Sequence, residues 1–232
     1  MVTAGAAQLS ARQQQERRVV DAVRQLLDEG VQDPSIDEIS RCGRMSKAII
    51  YRHVSSKEEL YLLALCSYQE EFAAILQEIP ETMDPQAQLN KIAHRYIAFC
   101  QRYPAYVDCT AGLHRQQTMG SLSPQVAPAL LQRVTAVVAA VNTRITRALA
   151  AGRDKGVFDI PIDNLDLVTW LIYTAILGVM QGARQKVGIR EGASGHPEVF
   201  PIARDDITRI LLIALSRLVG VTPPDHKPRS DT

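Results

Sequence analysis

The sequence has little of what usually marks an enzyme, a membrane protein or a metal protein. Its four cysteines, Cys42, Cys66, Cys100 and Cys109, form no CxxC pair and none stands near histidines at zinc-finger spacing. That pattern points away from a disulfide framework and from structural zinc, and toward reduced thiols. No signal peptide is read at the start, so a cytoplasmic location is expected. The longest apolar run, Leu167 to Met180, is too short to span a bilayer and carries Thr169 and Thr174, so no membrane span is expected. No phosphate-binding glycine loop, dinucleotide fingerprint, HExxH helix or nucleophile elbow occurs. His94 and His114 form no i, i+4 pair, so a metal site is not expected, and a redox switch using Cys100 and Cys109 is not expected either. With no catalytic constellation, the chain reads as a non-enzyme without a cofactor. Neither an alternating strand nor an internal repeat is evident.

What is present is helical periodicity. Hydrophobic residues make up 46% of the 232 residues, enough for a substantial core. From Ser10, the positions Val19, Val20, Val23, Leu26 and Leu27 share one helical face, and Gly30 supplies a stop. Ser35-Ile-Asp-Glu38 spells a capping box, which opens a short helix over Ile36–Cys42. After Gly43-Arg44, Ser46 opens a second short helix to about His53. Ser55-Ser-Lys-Glu58-Glu59 opens a long one to about Gln77. Further helices are expected over 85–102, 104–117, 124–152, 163–187 and 204–219, with Pro104, Pro124 and Pro161 at or before starts, where a missing N–H is harmless. The segment 187–203, with four glycines and two prolines, reads as a loop. The expected fold class is all-α: a small helical domain over residues 10–56, a helical bundle over 57–221, and flexible tails at 1–9 and 222–232.

Charge is unevenly placed. Residues 41–57 hold Arg41, Arg44, Lys47, Arg52 and Lys57, together with His53, and no acidic residue. This window carries +5 against a chain total of +1, so the rest is slightly acidic. Such an island is either a polyanion contact or a solvated charged face. Its position decides for DNA. Two short helices joined by a tight turn, with a longer helix on each side, form a helix-turn-helix over residues 35–54. The second helix of such a motif turns its first residues to base edges in the major groove. Lys47 can donate to guanine, Ser46 to several bases, and small Ala48 permits close approach. Ile50 is expected to pack back onto Ile39 and the first helix. Tyr51, His53 and Lys57 are donors placed for phosphates, and Ser35 at a helix start is another. Tyr51 is alternatively a partly packed aromatic, and His53 a cation beside the helix C-terminus.

These residues resemble the N-terminal domain of the tetracycline-repressor (TetR) family of bacterial regulators. The resemblance rests on Ser35-Ile-Asp-Glu-Ile39, Met45-Ser46, Ile50-Tyr51-Arg-His53-Val54 and Ser56-Lys57-Glu-Glu-Leu60. Val54 stands where the family usually has Phe, and Gly43-Arg44 where it usually has Ala-Gly. A turn position that often wants positive φ therefore falls on Arg44. The resemblance implies that Ser46, Lys47, Ala48 and Ile49 lie in the groove, with Tyr51, His53 and Lys57 on phosphates and Arg52 in the same surface. It also implies a homodimer on a near-palindromic operator, acting most often as a repressor.

The C-terminal half offers no diagnostic spelling. Tyr96, Phe99, Tyr103, Tyr106, Met119 and Trp170 are candidates for a pocket taking a small hydrophobic ligand, or alternatively plain core. Residues 167–180 and 207–218 are apolar on nearly every side, which demands cover from a second subunit or from the chain itself. Leu171, Ala175, Val179, Ile210, Ile213 and Arg217 are the candidate dimer contacts. The expected function is a DNA-binding transcriptional regulator released from its operator by the ligand. Two alternatives are a regulator without a ligand and a helical carrier or enzyme.

Overall fold

A computed structural model describes residues 2–118, 126–184, 187–193 and 195–220. In chain order the elements are α1 (Val2–Asp28), α2 (Ile36–Cys42), α3 (Lys47–His53), α4 (Lys57–Gln77), α5 (Pro85–Arg102), α6 (Pro104–Thr118), α7 (Pro128–Asp154), α8 (Leu165–Ala183), β1 (Val187–Glu191), β2 (Pro197–Pro201) and α9 (Arg204–Leu218). The fold is all-α apart from one small hairpin.

Local chemistry explains most boundaries. Gly30 stops α1 at φ +93°, with its N–H on Leu27 O and that of Val31 on Leu26 O, a left-handed cap that glycine adopts without steric cost. Ser35 caps α2: its hydroxyl accepts from Glu38 N, while Glu38 accepts from Ser35 N at 2.8 Å. At the start of α4, Ser56 accepts from Glu59 N at 3.3 Å. Asp84 caps α5 through Ala87 N, and Asn164 caps α8 through Leu167 N. Prolines stand at the first position of α5, α6 and α7, where the absent N–H has no intrahelical partner to lose.

Three expectations are corrected. Residues 2–9 are helical and continuous with α1, because no proline interrupts an alanine-rich stretch of good helix formers. The start of α7 lies at Pro128 rather than residue 124. The segment read as a loop contains an antiparallel hairpin pairing Val187 with Pro201, Ile189 with Val199 and Glu191 with Pro197. Glycine and proline correctly marked its turn and ends, but five-residue strands give composition too little length to register.

The residues fall into two compact units, and the expected boundary at residue 56 falls inside the first. Unit 1 comprises residues 1–73 and 102–139, and unit 2 comprises 74–101 and 140–232. In unit 1, Val19, Val23, Ile39, Ile50 and Val54 are buried in the head. A second cluster joins Leu62 and Cys66 of α4 to Val126 and to Val134 of α7. Between α1 and α4 lies a polar layer. Arg24 donates to Glu71 at 2.7 Å and to Ser67, and its guanidinium lies 4.0 Å from the centre of the Tyr68 ring. Tyr103 donates to the same Glu71 and Tyr68 to Asp28. In unit 2, α5, α7, α8 and α9 bury Ile92, Ile97, Leu149, Ile172, Ile176 and Leu215. Phe158 lies so close over Gly152 that a Cβ there would come within 2.1 Å of its ring. By length and composition alone α8 is apolar enough to cross a membrane. One of its faces is buried in unit 2 and the other carries Leu167, Trp170 and Val179 in the open, so the expectation of burial on every side does not hold within the chain.

Candidate nucleic-acid interface

The seven residues of α3 divide into two faces. Ile50 is fully buried and anchors the helix, and Ile49 is half-buried. Ser46, Lys47, Ala48, Tyr51 and Arg52 are exposed. Positions 47 and 51, and 48 and 52, are one helical turn apart, so they form two adjoining rows on the side away from Ile50. Tyr51 is 61% exposed, which removes the packed-aromatic alternative. Ser46 caps α3 by position but makes no side-chain capping bond, leaving its hydroxyl available. The combination is a solvated face of cations, hydroxyls and one small side chain on a rigid two-helix support, which is what base-edge and phosphate contact requires.

The turn that presents α3 departs from ideal geometry where expected. Arg44 has φ 48° and is the one non-glycine residue with positive φ among the described residues. Gly43, by contrast, has ordinary φ but no room: a Cβ there would meet Met45 Cε at 2.2 Å and Ala22 Cβ at 3.1 Å. Glycine at 43 thus leaves space that Met45 and Ala22 fill, and the left-handed position falls to Arg44 at a cost of about 1 kcal/mol. Arg18 holds the turn, donating to Gly43 O at 3.0 Å and Arg44 O at 3.2 Å. The sequence reading missed Arg18, because a surface arginine of α1 carries no local signal for a contact 25 positions away.

Two basic candidates already have anionic neighbours. Lys47 Nζ lies 2.5 Å from Asp37, and Lys57 Nζ lies 2.5 Å from Asp33, which also accepts from Tyr61 OH at 2.8 Å. The Lys57 ammonium and the Tyr61 hydroxyl hold the Asp33 carboxyl below its ordinary range. These pairs are exposed and weak, so a phosphate can displace the carboxylates.

Two residues assigned to phosphate change role. The Ser35 hydroxyl is committed to Glu38, accepting from its N–H and donating to its carboxylate at 2.7 Å. The Ser35 N–H and hydroxyl keep that carboxyl ionised below its usual range, and its negative charge opposes a phosphate there. At His53 both ring nitrogens are buried and lack a hydrogen-bond partner. Burial pushes the imidazole pKa down, opposed by Glu16 and aided by Arg12 and Arg52. As placed, the ring offers no donor to a phosphate.

Glu59 is a functional-looking residue that the sequence reading placed only in a cap. It is buried, and its carboxylate accepts from Ser55 N at 2.6 Å, from the Ser55 hydroxyl and from Ala127 N at 2.7 Å. Burial opposes its charged form, but these donors outweigh burial and hold it below the ordinary carboxyl range. It ties the residue after α3 to the approach to α7.

The candidate pocket residues are distributed over both units. Tyr103 and Tyr106 belong to unit 1, where Tyr103 binds Glu71 and the buried Tyr106 hydroxyl accepts from Gln69 at 2.9 Å. Tyr96 and Phe99 are buried in unit 2, with Tyr96 stacked on Tyr173 at 5.3 Å. Trp170 is 53% exposed, and Met119 lies outside the described residues. Unit 2 has a small recess, as it stands with room for about 20 Å³, lined by Leu89, Phe158, Ile172, Leu212 and Leu215 with Gln86 and Asn90 among its polar members. Its α5 face is 86, 89, 90 and 93. Tyr96 continues that face by one turn, but its ring is taken up by Tyr173. The buried thiols Cys66 and Cys100 are pushed up to about 12 by desolvation, which makes both poor nucleophiles.

Among the described residues, nothing fully covers the candidate dimer contacts. Ala175, Val179, Ile210 and Arg217 are exposed, and Leu171 and Ile213 are half-buried. They lie on α8 and α9, which pack on each other.

No protein-family model and no curated protein matches the sequence. Solved structures do match its fold. RolR in complex with resorcinol aligns with a TM-score of 0.60 at 20% identity, covering 92% of this chain and 91% of its own. A TetR transcription regulator from Haloarcula marismortui aligns at 0.63 and 20% identity, covering 89% of this chain and 97% of its own. FadR from Bacillus subtilis in complex with stearoyl-CoA aligns at 0.59 and 14% identity, over 89% and 99% of the two chains. The fold of this chain is therefore that of the TetR-type transcriptional regulators.

Proposed function

We propose that the protein is a homodimeric, sequence-specific DNA-binding transcriptional regulator, acting in the cytoplasm as a repressor that a small hydrophobic ligand releases from its operator. The observation that carries the reading is the division of α3: Ile50 fully buried, with Ser46, Lys47, Ala48, Tyr51 and Arg52 exposed on the opposite side. In this reading Lys47, Ser46 and Ala48 meet base edges, while Tyr51, Arg52 and Lys57 hold phosphates. Ile49 flanks the groove surface. A two-fold dimer through α8 and α9 presents two such helices to half-sites about 34–36 Å apart, or a multiple of that. The ligand occupies the mostly apolar recess of unit 2. Its chemistry is supported by the bound resorcinol of RolR and stearoyl-CoA of FadR. A coupling of about 1–3 kcal/mol would weaken operator binding roughly 5–150-fold.

The test is selection of bound duplexes from a random pool against bulk competitor DNA. A two-fold symmetric consensus supports the reading, and recovery of no preferred sequence refutes it. A library of apolar compounds, screened for a thermal shift and then for release of the selected DNA, tests the ligand arm. Compounds that raise the melting temperature without altering DNA affinity would leave a regulator that senses nothing at this site.

A further inference from the structure

Among the described residues, nothing covers the hairpin of β1 and β2. Its two faces differ. On one, Phe200 lies over Gly188 so closely that a Cβ at 188 would come within 2.3 Å of its ring, and Arg190 pairs with Glu198 at 3.5 Å. That face satisfies itself. On the other, the register sets Ile189 opposite Val199 with Val187 beside them, and these are 78%, 67% and 45% exposed. A two-stranded ribbon is at best marginally stable alone in water and needs a packed face. Three exposed β-branched residues on one face are the contact surface it would use.

The ribbon's edge and position indicate how it docks. Gly192 N donates to His196 O, which sets the alternation of the ladder. Pro197 and Pro201 then fall at positions whose N–H would point outward. Two of the three outward donors of β2 are therefore absent, which blunts that edge against strand addition, so the apolar face is what remains to be covered. The hairpin leaves α8 after Ala183 and enters α9 at Arg204, joining the two helices whose outer faces expose Leu167, Trp170, Val179, Ile210 and Leu218. Strands of five residues give it a reach of roughly 17 Å.

Continuity identifies the occupant. The exposed side chains of α8 and α9 already form one surface, with Leu171, Ala175, Ile213 and Arg217 open or partly open among them. The hairpin that joins these two helices adds Val187, Ile189 and Val199 to it, on the order of 300 Å² by their fractional exposures toward the roughly 800 Å² per partner of a standard interface. We infer that the hairpin is a dimerisation arm, which lays its Val187–Ile189–Val199 face on a second copy of this chain and extends the α8–α9 interface. This rests on the homodimer reading above.

The experiment uses the full chain in three forms: the native sequence, the double variant Ile189→Asp with Val199→Asp, and a variant with residues 188–200 replaced by a short glycine–serine linker. Sedimentation equilibrium over nanomolar to micromolar concentrations measures self-association, and far-ultraviolet circular dichroism checks that helix content is kept. Both variants are expected to weaken the dimer at least tenfold. A benzophenone amino acid in place of Ile189 is expected to yield, on irradiation, a covalent species of twice the monomer mass. A native dimer with both variants equally tight, or photoproducts confined to one chain, would overturn the arm and leave the homodimer reading standing. A native chain monomeric at micromolar concentration would overturn both.

Discussion

Replacing His53 with leucine discriminates most sharply between what the spelling of α3 implies and what its packing shows. By resemblance the imidazole is a phosphate donor, and its loss weakens DNA binding. In the structure both ring nitrogens are buried without partners, and each such group costs about 1–3 kcal/mol when left unsatisfied. The ring is only half-buried as a whole, so the net gain from an apolar replacement is set near the low end, about 1–2 kcal/mol. For a chain of this length that raises the melting temperature by roughly 3–6 °C. The pH dependence has a definite sign. The folded pKa lies below the unfolded value of 6.5, so in the intervening range the unfolded chain binds the extra proton. Native stability is therefore complete above about pH 6.5 and is lost as pH falls through the folded value, by at most about 1.4 kcal/mol per unit. His53→Leu removes that loss, so its advantage grows on acidification. Urea titrations at pH 7.5 and 5.5 measure this, and operator affinity should stay within about twofold. A variant that loses affinity tenfold and shows a shallower salt dependence would refute the reasoning and restore the phosphate role.

Other substitutions probe the remaining parts of the site. Lys57→Ala should weaken binding to all sequences and lower the slope of log affinity against log salt by about 0.9, one phosphate contact. Lys47→Ala should instead change the preferred sequence, which competition between selected and mutated duplexes reads directly. Gly43→Ala should cost about 1–3 kcal/mol in thermal unfolding, because its Cβ overlaps Met45 and crowds Ala22, whereas Arg44→Asn should be neutral or stabilising by up to about 1 kcal/mol, since asparagine tolerates positive φ. Glu59→Gln should cost about 1–3 kcal/mol at neutral pH. The native carboxylate contributes stability above its unfolded value of about 4.5 that is lost as pH falls through its lower folded value, so the difference between the two proteins should shrink in acid.

The helical elements of the head were legible from local chemistry. Ser35 and Glu38 form the capping box their spacing spells, because both groups belong to one turn of chain. Ile50 turns inward, with Ile49 half-buried beside it, and Lys47, Ala48 and Tyr51 outward, because a helix of fixed period that buries position 50 leaves those positions on its opposite side. The left-handed Arg44 was legible too, since the turn needs positive φ at one place and the chain offers arginine there. The exposed face of α3 was therefore readable from order alone, whereas the burial of the His53 ring nitrogens was not.

What sequence order could not decide is what distant segments bring to each residue. His53 looks like a donor until its ring nitrogens are seen to be buried. Tyr96, Phe99, Tyr103 and Tyr106 are neighbours along the chain, yet two lie in one compact unit and two in the other. Val187, Ile189 and Val199 became a surface only through strand pairing across a turn. By itself the sequence determined the helix periods, the caps and the basic island, because those depend on residues within a turn or two of each other. Burial, hydrogen-bond satisfaction and the open apolar faces were decided by the tertiary structure, because each depends on atoms contributed from elsewhere in the chain.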